Sequence, residues 1–87
     1  MRLPPDLSGN DLAHALRIFG YGVTRQTGSH LRLTTVEQGE HHVTVPRHAA
    51  LRVGTLAAIL SDVGRHVGLT RDEVAERLFG GGRGRKV

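Results

Sequence analysis

The fold turns on residues 21–46, Tyr21-Gly22-Val23-Thr24-Arg25-Gln26-Thr27-Gly28-Ser29-His30-Leu31-Arg32-Leu33-Thr34-Thr35-Val36-Glu37-Gln38-Gly39-Glu40-His41-His42-Val43-Thr44-Val45-Pro46. Three runs in it alternate with period two, the spacing of a strand with one buried face. Tyr21, Val23 and Arg25 alternate with Gly22, Thr24 and Gln26, although hairpin geometry decides which face Arg25 takes. Leu31 and Leu33 alternate with His30, Arg32 and Thr34, and Val43 and Val45 alternate with His42 and Thr44. Thr27-Gly28 and Glu37-Gln38-Gly39-Glu40 are short polar connections, so neighbouring strands run antiparallel, and Pro46 closes the third. The stretch reads as a three-stranded meander.

Helical signals flank it. Ser8, with Asp11 three residues on, forms a capping box that opens a helix of about Ser8 to Phe19. Leu12, Leu16 and Phe19 fall on one face with Ala15, Gly20 stops the helix, and Pro4 and Pro5 keep the approach extended. After the meander, Gly54-Thr55 opens a second helix carrying Leu56, Ile59, Leu60 and Val63, for which Gly64 and Gly68 are both plausible stops. Thr70-Arg71-Asp72-Glu73 is a capping box for a third, with Leu69 and Val74 placed to staple its start. The expected fold class is α+β in the order α-β-β-β-α-α. Helices on one face of a three-stranded antiparallel sheet bury both apolar stripes and leave the other sheet face to solvent.

The 87 residues suffice for one domain, expected over residues 1–79, followed by a disordered basic Gly/Arg tail over 80–87. Three of the four net positive charges belong to that tail, as Arg83, Arg85 and Lys86, so net charge says little about the folded surface. With no cysteine, disulfides, thiolate zinc sites and cysteine nucleophiles are excluded. Three aromatics, Phe19, Tyr21 and Phe79, are too few for a base-stacking platform. The longest apolar run, Leu56 to Leu60, is far too short to span a membrane. The opening Met1-Arg2-Leu3-Pro4-Pro5 has no apolar stretch of a secretory signal, so a cytoplasmic location is expected.

Alternation places His30, Arg32, His42 and Thr44 on the solvent face. An imidazole beside a guanidinium suits phosphate chemistry: histidine exchanges protons near neutral pH, and arginine holds a phosphate diester bidentately. Cleaving RNA needs little more, because the 2′-hydroxyl is a nucleophile carried by the substrate. The plainer reading of a strand histidine is a polar residue on a wet face. Six histidines also invite a metal, but His41 and His42 point to opposite faces, and His14, His48 and His66 lie on separate segments. No H-E-x-x-H, G-x-S-x-G or Gly-rich phosphate loop with its helix is present. No metal or other cofactor is expected.

The ordered set of Leu7-Ser8-Gly9, Phe19-Gly20-Tyr21, Arg25 to Leu33 with its Gly28-Ser29-His30, Val43 to His48, and Gly54-Thr55-Leu56 with Ile59-Leu60 resembles the HicA-type mRNA interferase toxins of toxin–antitoxin pairs. The likeness runs from about Leu3 to Leu78. It implies a double-stranded-RNA-binding-domain-like fold and metal-independent mRNA cleavage, with His30 as the active-site residue. It also implies that Arg25, Gly28, Ser29, Arg32, Arg47 and His48 contact RNA. The implied partner is a HicB-like antitoxin that covers the His30 face, with DNA reached only through that antitoxin. Arg65-His66-Val67-Gly68 reads as an insertion relative to the family, and the basic tail is additional. The expected function is thus an endoribonuclease toxin that inhibits translation, with His48, Ser29 or water as candidates for the second proton transfer. The alternatives are a non-catalytic RNA-binding module of the same fold and a protein-interaction module.

Overall fold

A computed structural model describes residues 3–80 of the chain. The expected tail falls on residues 80–87 and, apart from Gly80, lies outside them.

The first helical segment is capped as its sequence predicts. Ser8 Oγ accepts the Asp11 N–H at 3.0 Å, and the Asp11 carboxylate accepts the Ser8 N–H at 3.4 Å. Helix α1, Gly9–Ala15, then tightens into a 3₁₀ turn over Leu16–Phe19, which ends at Gly20 with φ of 85°. That left-handed cap swings the chain into β1, Gly22–Gln26, followed by β2, His30–Thr35, and β3, His41–Pro46. The strands pair antiparallel in the order β1-β2-β3. Helix α2 spans Val53–Val67, and the Thr70 capping box opens the short α3, Arg71–Ala75, which widens into a π-type turn over Glu76–Gly80. The order α-β-β-β-α-α and the antiparallel sheet are those read from sequence, and they agree with a double-stranded-RNA-binding-domain-like fold.

One sheet face is sealed. Leu31, Leu33, Val43 and Val45 project from β2 and β3 onto Leu12, Leu16, Leu56, Leu60, Val63 and Val74 of the helices, all of them buried. Each such side chain contributes about 2 kcal/mol of transfer free energy, so this layer is the fold's main source of stability. Thr35, also buried, keeps its hydroxyl satisfied by donating to Phe19 O at 3.0 Å and accepting the Glu37 N–H.

The two candidate stops of α2 separate cleanly. Gly68, at φ of 81°, is the left-handed cap. Gly64 lies inside the helix, where a Cβ would collide with the Leu69 carbonyl oxygen, so it is glycine for close packing. The stretch Arg65–Gly68, read from sequence as an insertion between the last two helices, is the last turn of α2 and its cap.

The first strand departs from simple alternation. Val23 faces Leu33, yet Arg25 faces Arg32, because a bulge at Thr24 inserts one residue between the pairs. Directly opposed residues share a sheet face, so the bulge turns Arg25 away from the helices and onto the solvent face beside Arg32.

Candidate active site

The register puts a defined set of side chains on the solvent face. His30, Arg32 and Thr34 of β2 stand opposite Pro46, Thr44 and His42 of β3, and Arg25 stands opposite Arg32 from the other side. His30 and His42 thus occupy opposite ends of the face, about 13 Å apart along the strand direction.

At the His30 end the chain is held by local hydrogen bonds. The Thr27 N–H donates to His30 O at 2.9 Å, and the His30 N–H donates back to Thr27 Oγ1 at 3.2 Å, which clamps the turn from both sides. Ser29 Oγ shares a 2.9 Å hydrogen bond with His30 Nδ1. Across the sheet, the Arg47 N–H donates to Ser29 O at 2.8 Å and the Arg47 guanidinium reaches Gly28 O at 3.5 Å. That ladder makes His30 and Pro46 a non-hydrogen-bonded pair on an edge strand, where the missing N–H of proline costs nothing. The imidazole is therefore fixed at Nδ1 and walled by a rigid ring, while Nε2 has no hydrogen-bond partner among the described residues.

Charge at this end is one-sided. Arg25, Arg32 and Arg47 are exposed, and none forms an ion pair among the described residues. Like charges placed directly across a strand pair repel, so the Arg25–Arg32 pair costs free energy until an anion lies between them. A bound phosphate diester would relieve that cost.

The other end is built differently. Glu40 accepts at 2.9 Å from His42 Nε2, and Thr34 Oγ1 bonds His42 Nδ1 at 2.7 Å and Thr24 Oγ1 at 2.8 Å. On the helix side, His41 Nε2 donates to Asp62 at 3.3 Å, which leaves Nδ1 to accept the Tyr21 hydroxyl at 2.7 Å. His41 also stacks on His66, with ring centroids 4.5 Å apart, and His66 Nε2 donates to Glu37 O at 2.9 Å. Burial, with the Asp62 charge adding to it, pushes the Tyr21 phenol up to about 12, so it stays a neutral donor.

Of the residues singled out from sequence, His30, Arg32 and Arg25 share the solvent face by register. Gly28 and Ser29 lead directly into His30, and Arg47 follows Pro46 at the same end of the sheet, paired with Ser29. His48 lies one residue past Arg47, its side chain exposed and its carbonyl accepting the Gly9 N–H at 3.0 Å. Four residues have roles that sequence reasoning missed: Thr24 as the bulge, Thr27 as the clamp, Pro46 as the wall, and Gly9. The last must be glycine because a Cβ there would run into Pro46 O, so α1 docks directly on the end of β3. The glycine following the Ser8 cap was the available signal.

Among the described residues, no three histidine or acidic side chains converge as metal ligands, and no helix is long and apolar enough to cross a membrane. In comparisons with known proteins, the family model described as HicA toxin of bacterial toxin–antitoxin matches residues 9–72, well over half of the chain. No curated protein and no solved structure gives a significant match.

Proposed function

Since the chain belongs to the HicA toxin family of bacterial toxin–antitoxin systems, we propose that it is an endoribonuclease that cleaves mRNA without a metal ion and so inhibits translation. His30 is the catalytic residue; Arg25, Arg32 and Arg47 hold the scissile phosphate, and Gly28, Ser29 and His48 line the RNA path. The observation that carries this reading is the Arg25–Arg32 pair, two opposed guanidiniums without a carboxylate partner among the described residues, next in register to His30.

The chemistry follows from the substrate. His30 Nε2 takes the proton of a ribose 2′-hydroxyl, and the resulting oxygen attacks the adjacent phosphorus. Charge growing on the phosphorane oxygens is met by the arginines. The bond to the 5′-oxygen breaks as that oxygen takes a proton from water or His48, leaving a 2′,3′-cyclic phosphate and a 5′-hydroxyl. The hydrogen bond at Nδ1 gives Ser29 a positioning role. Its hydroxyl accepts from Nδ1–H and leaves the Nε2 lone pair facing the substrate, and the same bond survives when Nε2 gains its proton.

Induced expression of the wild type and of His30→Ala tests the reading. The wild type should arrest growth and deplete mRNA, and the variant should do neither. RNA binding without cleavage, unchanged by the substitution, would select the non-catalytic RNA-binding module instead. Cleavage abolished by EDTA and restored by a divalent cation would replace the histidine mechanism with a metal-assisted one.

A further inference from the structure

Away from the His30 face, two hollows meet at one pair of side chains. The first, of ≈ 380 Å³, lies between α1 and the outer edge of β1, with Ala13, Val23 and Leu31 as apolar walls and Asn10 and Gln26 as polar ones. The second, of ≈ 320 Å³, is walled by Ala15, Ile18 and Leu78. His14 and Arg17 line both, so they form the ridge between them. Arg17 donates to His14 Nδ1 at 3.4 Å and has no ion-pair partner among the described residues. No acidic residue lines either hollow. Ile18 and Val23, one beside each hollow, are 60% and 50% exposed.

We propose that this ridge is a second docking surface for the cognate antitoxin, taking an extended segment with one carboxylate flanked on both sides by apolar residues. The carboxylate sits on Arg17 and the apolar residues fill the two hollows. This rests on the reading of the chain as the toxin of a pair, and it adds a contact outside the His30 face. Charge and polarity select the occupant: a cationic ridge between two hollows with apolar walls matches an anion between two hydrophobes. RNA would supply the anion but leave Ile18 and Val23 unmatched, and no exposed aromatic stands there to stack a base. The chain's own tail, with Arg83, Arg85 and Lys86, has the wrong sign. Strand addition along β1 is broken by the bulge at Thr24, so recognition is by side chains rather than by a backbone ladder.

Arg17→Glu and Ile18→Ser in the full chain test this, with circular dichroism confirming that each folds. Titration calorimetry against the cognate antitoxin should show roughly tenfold or greater loss of affinity for Arg17→Glu and a smaller loss for Ile18→Ser. Expressed alone, Arg17→Glu should arrest growth as the wild type does, yet escape rescue by the antitoxin. Wild-type affinity in both variants would overturn the proposal. So would loss of RNA cleavage by Arg17→Glu, which would assign the ridge to RNA. A concentration-dependent dimer abolished by Arg17→Glu would assign it to a second copy and would also overturn it. A wild-type chain that fails to bind the antitoxin would refute the toxin-pair reading and this surface together, whereas binding that ignores both substitutions refutes the surface alone.

Discussion

At one end of the sheet, His30 meets a serine hydroxyl on Nδ1, a proline ring beside it and arginines around it. At the other end, His41 and His42 each meet a carboxylate, Asp62 and Glu40, and each accepts a hydroxyl on its second nitrogen. The three imidazoles are chemically the same group, and their partners divide the work. A carboxylate holds a proton on the nitrogen it faces and gives His41 and His42 a structural task, tying β3 to α2 and to the neighbouring strands. His30 has one nitrogen anchored to a neutral hydroxyl and, among the described residues, no partner on the other, the arrangement the proposed proton transfer needs.

The largest expected effect breaks the comparison if it fails. His30→Ala should lower RNA cleavage by roughly 10²–10⁴-fold in a single-turnover assay while leaving the fold intact. His42→Gln should change it by no more than a few-fold. Equal losses would erase the distinction between the two ends.

Next in size is a stability effect confined to the carboxylate end. The folded pKa of Tyr21 lies at about 12, above its ordinary 10.0, so the native state binds that proton more tightly than the unfolded chain does. Below pH 10 both states are protonated and the phenol adds no pH dependence. Between pH 10 and 12 the unfolded chain ionises first, and stability should fall by on the order of 2 kcal/mol. Denaturant midpoints at pH 8 and pH 12 measure this, and Tyr21→Phe should abolish the alkaline loss. As the chain has one tyrosine, phenolate absorbance follows the titration directly.

Smaller again is the effect of one arginine. Arg32→Ala should weaken RNA binding about tenfold and reduce the dependence of log affinity on log salt by about one. The same change should leave stability equal or slightly raised, since it removes the repulsion with Arg25. The smallest effect sharpens the account of His30. Ser29→Ala should cost about fivefold in kcat with an altered pH–rate profile, whereas a purely structural serine would change KM or stability alone.

Much of this arrangement was legible in the sequence because it depends on local periodicity. The alternation of Leu31 and Leu33 with His30 and Arg32 gave the sheet its two faces, and both capping boxes formed where their residues stand. The face of Arg25 was not legible, since a bulge is a property of two paired strands and no single-strand period reveals it. The choice between Gly64 and Gly68 likewise depended on Leu69 folding back over the helix. The stacking of His41 on His66 joins residues from different elements, and the α1–β1 hollow exists only once those elements pack. Contacts set by chain return rather than by neighbouring residues are the ones sequence reading misses.

The most direct test of the central claim is to map the ends of RNA cleaved by the purified protein in EDTA, beside a substrate carrying a single 2′-deoxyribose at the cleavage position. Attack by the substrate's own 2′-hydroxyl predicts 2′,3′-cyclic phosphate and 5′-hydroxyl ends, with the deoxy substrate intact. Ends bearing a 3′-hydroxyl, or cleavage of the deoxy substrate, would contradict it.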